Sequence, residues 1–386
     1  MAMDLRSRLR QLTTPDAKPL NTVKLADMTY VEHAKVADER LYDLSDIALA
    51  RIGLEGMWPD IERVLFLDTE TTGLSRGAGT IAFMIGLGYV KEGAFVIEQH
   101  MVGDYPDEPL MLEKLASMIK DYDVVVSFNG KAFDVPLLEM RAVLNRMKPF
   151  FNNHRQLDLM HPSRRLWKRR LPNCKLVTLE EYILSAGREN DLPGSEAPKR
   201  FFEYLKTGDI ALLDDVLHHN MLDIASLGGL LIALCEAYAA PGALVELPDL
   251  YSMGRAMERI GDRETAQLCY ERAARPQIAL SIKALKNEQY GAEANWALAT
   301  MKKRAGDTEG AMEIYNQMIR RKQMGANPQI ELAKIYEHTI KDLRRANEQA
   351  TAARALAQDD DTIKAIDHRI ARLSKKLKKQ GKGDIG

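Results

Sequence analysis

Two acidic residues stand one apart at the end of an apolar run, Leu65-Phe66-Leu67-Asp68-Thr69-Glu70-Thr71-Thr72-Gly73. In an extended strand the side chains alternate, so Asp68 and Glu70 share one face and Thr69 takes the other. At about 7 Å along a strand, two carboxylates repel each other unless a cation lies between them. Hard divalent ions such as Mg²⁺ take oxygen ligands of this kind. A bare D-x-E also occurs at solvated strand ends. Further acids are needed to make a metal centre, because two-metal hydrolysis requires more than two carboxylates.

Two later stretches supply them. In Ser127-Phe128-Asn129-Gly130-Lys131-Ala132-Phe133-Asp134-Val135-Pro136, an apolar strand ends in a turn and Asp134 sits where the next helix begins. Asp before Val-Pro is a favoured helix cap, so Asp134 either caps the helix or turns its carboxylate toward a metal. In Leu217-His218-His219-Asn220-Met221-Leu222-Asp223-Ile224, the apolar residues give a helix a buried face. Asp223 facing that core unpaired would be costly, so it faces solvent or a cation. A nearby histidine offers a general base near neutral pH. On a regular helix, i and i+4 lie about 40° apart and i and i+5 about 140°. That geometry favours His219 over His218 as the neighbour of Asp223.

The elements around these residues read as an α/β sheet. Val64 to Asp68 is a continuous apolar run, the mark of a central buried strand. Thr80 to Val90 and Ala94 to Val102 are strand candidates joined by Lys91-Glu92-Gly93, a hairpin signal. Pro109 to Tyr122 has apolar residues near the helical period, Asp123 to Phe128 is again a strand, and Pro136 to Met147 a helix. Gln156 to Met160 forms a short last strand. Three strands, then helix, strand, helix, strand, is the order expected of a ribonuclease H-like fold. After Leu179 the chain reads as helical to Ala240, and Pro241-Gly242 breaks it.

Beyond Leu250, three segments align: Gly261-Asp262 with Ala266 and Tyr270, Gly306-Asp307 with Ala311 and Tyr315, and Lys341-Asp342 with Ala346 and Ala350. Small residues at helix crossings, at a period near 34, are the signature of TPR-like repeats. The longer first spacing predicts an insertion near 276–291. The chain thus divides into a lead-in segment (1–60), a ribonuclease H-like domain (61–243), a TPR-like helical domain (244–373) and a basic, frayed tail (374–386).

Composition is that of an ordinary soluble protein: 386 residues, 46% hydrophobic, 28% charged, net charge -1. Bulk charge therefore does not advertise a nucleic-acid binder, although an acidic metal site and a basic groove cancel in the sum. Cys174, Cys235 and Cys269 are far apart and odd in number, which predicts reduced thiols and a cytoplasmic location. The start lacks an apolar secretory segment, and Leu227 to Leu234 reads as buried helix rather than a membrane span.

The ordered set D-x-E, N-x4-D and His close before Asp resembles the DEDD exonucleases of the ribonuclease H-like superfamily. Asp158-Leu159-Met160-His161-Pro162-Ser163-Arg164-Arg165-Leu166-Trp167, Leu179-Glu180-Glu181-Tyr182-Ile183-Leu184, Asp191-Leu192-Pro193-Gly194 and the stretch from Phe202 to Asp209 narrow the likeness to the YprB-like subfamily, which pairs such a domain with TPR-type helices. The resemblance implies that Asp68, Glu70, Asp134 and Asp223 hold two Mg²⁺ or Mn²⁺ ions for 3′-to-5′ phosphodiester hydrolysis. The base is His218 at the H-x4-D spacing or His219 at the spacing of the tyrosine members; the His-Asn-x-x-Asp form favours His219. Family company with a repair-type helicase points to DNA over RNA and to a helicase partner at the TPR-like region. An adaptor without catalysis is the competing reading.

Looser expectations surround the site. Asn129, Lys131, Arg164 and Arg165 are candidate contacts to the nucleic-acid backbone, within a cluster that includes Lys168, Arg169 and Arg170. The glycines of Ser75-Arg76-Gly77-Ala78-Gly79 would let backbone N–H groups approach a phosphate, or form a plain turn. Asp158 orients a metal-bound water or caps a strand, and Trp167 stacks on a base or is buried.

Overall fold

The computed structural model describes residues 21–25, 28–73, 77, 79–188, 191–275 and 282–383. Ser75, Arg76 and Ala78 of the glycine-rich turn lie outside them. The chain falls into two compact units that divide between Ala240 and Pro241, where the helix-breaking Pro-Gly pair stands.

In the first unit a seven-stranded sheet is built from β1 (Asn21–Leu25), β2 (Met28–Val36), β3 (Val64–Thr71), β4 (Ala82–Lys91), β5 (Ala94–Val102), β6 (Val124–Ser127) and β7 (Arg155–Asp158), in the spatial order β1-β2-β5-β4-β3-β6-β7. The helices follow as α1 (Asp46–Ile52), α2 (Glu108–Met118), α3 (Asp134–Leu144), α4 (Met160–Trp167), α5 (Leu176–Leu179), α6 (Ala197–Thr207) and α7 (Asp214–Ala239). The pairs β1–β2, β2–β5, β5–β4 and β4–β3 are antiparallel, whereas β3–β6 and β6–β7 are parallel. Strand β3 is where the two halves meet. Its C-terminal end and those of β6 and β7 therefore point the same way, and open parallel sheets place their ligands at such ends.

Local sequence explains most of this. The first four residues of β3, Val64-Leu65-Phe66-Leu67, are fully buried, as a central strand requires. Glu92 and Gly93 both adopt positive φ, the two-residue turn whose twist matches an antiparallel hairpin, and they join β4 to β5 in the register Lys91 with Ala94. Ser45 caps α1 by accepting from the Ala48 amide, and Gly53 ends it in the left-handed conformation. Leu65, Leu67, Phe83, Leu112, Val125 and Phe201 belong to one core cluster under the sheet.

The lead-in segment is more than a cover. It contributes β1 and β2, and β2 pairs with β5 along its length, from Met28 opposite Val102 to Val36 opposite Ala94. The mixed polar sequence Met28-Thr29-Tyr30-Val31-Glu32-His33 has no continuous apolar run to announce a strand. An open neighbouring strand edge supplies the hydrogen bonds instead.

Helix α7 is apolar and long enough to pass a membrane-span criterion, but 83% of that apolar window is buried within the unit, as a core helix should be. Trp167 is buried as well.

The second unit is helical: α8 (Leu247–Arg259), α9 (Arg263–Ala273), α10 (Ile282–Arg304), α11 (Thr308–Arg320), α12 (Asn327–Ile335), α13 (Leu343–Leu356) and α14 (Asp360–Gly383). Asp262, Asp307 and Asp342 each cap a helix, accepting from the amides of Thr265, Gly310 and Arg345. Four residues into each helix, Ala266, Ala311 and Ala346 are fully buried. Part of the long first spacing, 276–281, lies outside the described residues; the rest belongs to the 23-residue α10. The basic tail does not begin as a frayed end. Lys375 to Lys379 continue α14, because the buried Glu337 carboxylate accepts from Arg369, Arg372 and Lys376.

Candidate active site

Asp68 and Glu70 leave the C-terminal half of β3, and the register with β4 shifts between Glu70 and Thr71. Thr69, on the opposite face by strict alternation, donates from its hydroxyl to Asp134 Oδ1 at this distorted end. Asp134 is the first residue of α3 and does not cap it; the cap position is Phe133, which makes no side-chain bond to the helix. The chain enters α3 through a tight turn in which Asn129 has φ +68° and a side chain on Gly130 would meet Ser127 at 2.6 Å.

Helix α7 brings His219, Asn220 and Asp223 to the same place. Nε2 of His219 lies 4.0 Å from Glu70 Oε1 and 3.6 Å from Asp223 Oδ2, while His218 is exposed. Asn220, fully buried, donates to Asp68 Oδ2 at 3.0 Å and accepts from Gln99 Nε2 at 3.0 Å. Gly86 on β4 makes room for it, since a Cβ there would stand 2.2 Å from Asn220 Oδ1. The close approach of α7 to the sheet thus needs glycine at that position.

Four acids from β3, α3 and α7 are thereby concentrated in one buried region. Burial, reinforced by Asp223, Asp134 and Glu70, pushes the Asp68 carboxyl well above the usual range. Burial likewise pushes Glu70 up to about 8, against the pull of His219. Asp134 rises to about 6 through burial, opposed by the Thr69 hydroxyl. His219 is raised: burial disfavours its charge, but Asp191, Asp223 and Glu70 outweigh that. Such crowding of like charge is what a cation relieves. The all-oxygen donor set suits Mg²⁺ or Mn²⁺. Among the described residues, no group of three or more His, Cys, Asp or Glu side chains is placed to hold a metal ion.

Asp158, at the end of β7, accepts from the amides of Asn129 and Met160 through Oδ1, fixing the turn, while its buried Oδ2 has no hydrogen-bond partner among the described residues. A cleft of about 670 Å³ opens onto Asp68 and Asp223, with Phe128, Asn129, Arg164 and Lys168 along its walls. Arg165 does not line it. Its guanidinium turns inward and donates to the Ile52 carbonyl at the end of α1. Lys131 is exposed on the turn before α3 and is not among the cleft's lining residues either.

Besides Asn220, three site residues, Glu180, Arg188 and Asp191, carried no role in the expectations from sequence. Arg188 is almost wholly buried and forms ion pairs with Glu180, Asp191 and Asp223. Asp191 in turn holds Nδ1 of His219. All three stand on or beside a loop, where no periodicity marks a facing side chain.

Residues 65–235 match the RNase_H_2 family model of the RNase_H superfamily. The protein YprB of Bacillus subtilis (strain 168) is 32% identical over 320 residues, which is 81% of this chain and 75% of that one. The chain belongs to the YprB family. Its first unit is therefore a ribonuclease H superfamily domain, which supports a nuclease. Among solved structures, the family B DNA polymerase of the archaeon Pyrobaculum calidifontis matches 56% of this YprB-family chain, with 18% identity and a TM-score of 0.37. The chain spans 30% of that polymerase.

Proposed function

We propose that the chain is a metal-dependent exonuclease that removes nucleotides from a 3′ end, acting on DNA in preference to RNA. The observation that carries this reading is the meeting of Asp68, Glu70, Asp134 and Asp223 with the Nε2 of His219 beside a cleft. The four carboxylates would hold two Mg²⁺ or Mn²⁺ ions. Such ions, when bound, supply a water of lowered pKa and countercharge for the leaving oxygen.

The chain's own groups do the rest. Nε2 of His219 faces the acids and takes the proton of the attacking water. Asn220 keeps the Asp68 carboxylate in one orientation. Arg164 and Lys168 give the cleft the positive charge a phosphodiester backbone needs. Polarity of attack, the preference for DNA and a role in repair are supported by the resemblance of the motif set. The helical unit, with its three equivalent capped helix starts, supports a TPR-type docking region, and the same resemblance suggests a helicase as its partner.

Digestion of oligonucleotides labelled at the 5′ end, as DNA and RNA, single- and double-stranded, tests this. The expected result is a ladder shortening from the 3′ end with Mg²⁺ or Mn²⁺, abolished by EDTA and in Asp68→Ala and Asp223→Ala. Absence of cleavage in wild type on every substrate would favour the adaptor reading.

A further inference from the structure

Beside the four acids lies a second buried charge group that the hydrolysis just described leaves without a role. The chain leaves the π turn at Glu180–Leu184 through Ser185, whose φ is +53°, and the Ala186 amide closes back on the Glu180 carbonyl. This reversal brings Arg188 over Glu180, whose two oxygens accept from Nε at 2.6 Å and Nη2 at 2.5 Å. The guanidinium, with its side chain 2% exposed, donates from Nη1 to Asp191 Oδ2 at 2.8 Å and from Nη2 to Asp223 Oδ1. Both oxygens of Asp191 lie 2.9 Å from Nδ1 of His219.

The position of the imidazole proton follows from these contacts. An ionised carboxylate only accepts, so hydrogen bonds from His219 at 2.9 Å require the proton on Nδ1. Arg188 Nη1 carries two hydrogens, one directed to Asp191 at 2.8 Å. Donation of the other to a bare Nδ1 at 3.2 Å would be the longer contact and would leave the Nδ1 lone pair facing both Asp191 oxygens at 2.9 Å. The shorter, charge-assisted contacts decide the arrangement. In the neutral ring Nε2, the nitrogen that faces Glu70 and Asp223, is then the one that carries the lone pair.

We propose that Glu180, Arg188 and Asp191 form a positioning clamp for His219: Glu180 fixes Arg188, Arg188 fixes Asp191, and Asp191 holds the imidazole in the tautomer that leaves Nε2 as a proton acceptor toward the acids. The same Arg188 holds Asp223 Oδ1, so base and acid are aligned by one rigid fork. A carboxylate behind a catalytic histidine acts in this way in other hydrolases. Burying three acids around one arginine is a poor way to gain stability alone, because well-packed apolar side chains do as well or better. The consequence for catalysis rests on the nuclease reading; the tautomer does not.

The test therefore has two arms. In the full chain labelled with ¹⁵N-histidine, at a pH where imidazoles are neutral, the His219 ring is assigned by comparison with His219→Gln. Wild type is expected to show protonated Nδ1 and bare Nε2, and Asp191→Ala the Nε2–H form that free imidazole prefers. A wild-type ring carrying Nε2–H, or a tautomer unchanged in Asp191→Ala, overturns the clamp whether or not the protein cleaves anything. In the second arm, Asp191→Ala and Asp191→Asn lower kcat about 10- to 100-fold, with KM for the oligonucleotide and Mn²⁺ affinity little changed. In a His219→Gln background, Asp191→Ala then costs nothing further. Additive losses would overturn the proposal, since they mark Asp191 as acting on the fold and not through His219. The expected tautomers in a protein without nuclease activity would support the clamp and sink the nuclease reading.

Discussion

Two buried glutamates, one in each unit, show opposite solutions to the same problem. Glu70 at the end of β3 is crowded by Asp223, Asp134 and Asp191, and burial together with that crowding raises it to about 8. Glu337, between α12 and α13, accepts from Arg369, Arg372 and Lys376; burial works against its charge, yet Arg372 and Lys376 bring it down to about 2. A carboxylate with more cations than it needs ties helices together. Glu70 has more anions around it than cations and keeps its proton instead. Burial alone does not separate a structural acid from a functional one; the balance of charge around it does.

Exchanging the crowded acid for its neutral isostere should break this contrast most severely. On the proposed function, Glu70→Gln is expected to lower nuclease activity by about three orders of magnitude, the scale of a lost metal ligand worth several kcal/mol. The same substitution should raise the melting temperature of metal-free protein at pH 8. The sign follows from linkage: unfolded glutamate loses its proton near 4.5, whereas folded Glu70 keeps it to about 8. The folded state binds more protons across that window, so metal-free stability falls as pH rises through it. Mn²⁺ should reverse the trend, stabilising wild type more at pH 8 than at pH 6 and leaving Glu70→Gln less affected. Thermal melts at four pH values with and without Mn²⁺ check this; a flat metal-free profile would show that the acids are already neutralised within the protein.

The structural acid should behave the other way. Glu337→Gln is expected to lower the melting temperature of the helical unit by about 4 °C at neutral pH, through lost charge-assisted bonds, with the proposed nuclease activity unchanged. Because folded Glu337 sits near 2 and unfolded glutamate near 4.5, its contribution is present above 4.5 and disappears as pH falls toward 2. Melts of wild type and variant should therefore converge in acid. Convergence at high pH instead would contradict the assignment.

How much of this could be read from the chain itself follows the same division. Apolar runs such as Val64 to Leu67 and Val124 to Val126 announce buried strands, because a central strand has no solvent face to encode. Asp68, Glu70, Asp134 and Asp223 stand out as charges where burial demands a reason, and the structure brings them together. The penalty invoked for Asp223 applies equally to Asn220, a polar residue on the same apolar helix, so its role beside Asp68 was within reach. Arg188 and Asp191 were not legible, since a loop has no period and only its folding back over Glu180 brings them to His219. Strand β2 escaped because its hydrogen bonds are owed to the neighbouring edge of β5 and not to its own mixed sequence.

The finest distinction lies between adjacent arginines that sequence treats alike. Arg164 and Arg165 both begin as candidate backbone contacts, but successive residues on a helix are rotated by about 100°. Arg164 therefore faces the cleft with Lys168, one turn on, while Arg165 reaches back to the Ile52 carbonyl. Arg164→Ala should weaken oligonucleotide binding only a fewfold and reduce the salt dependence of binding by about one ion, with thermal stability unchanged. Arg165→Ala should leave the salt slope intact and lower the melting temperature, because it frees a carbonyl that anchors α1 to α4. Binding isotherms over a salt series, set beside melts of both variants, would separate the two. Equal salt slopes for Arg164→Ala and wild type would mean that the nucleic-acid backbone does not run along this wall, and that the cleft admits its substrate from another side of the acids.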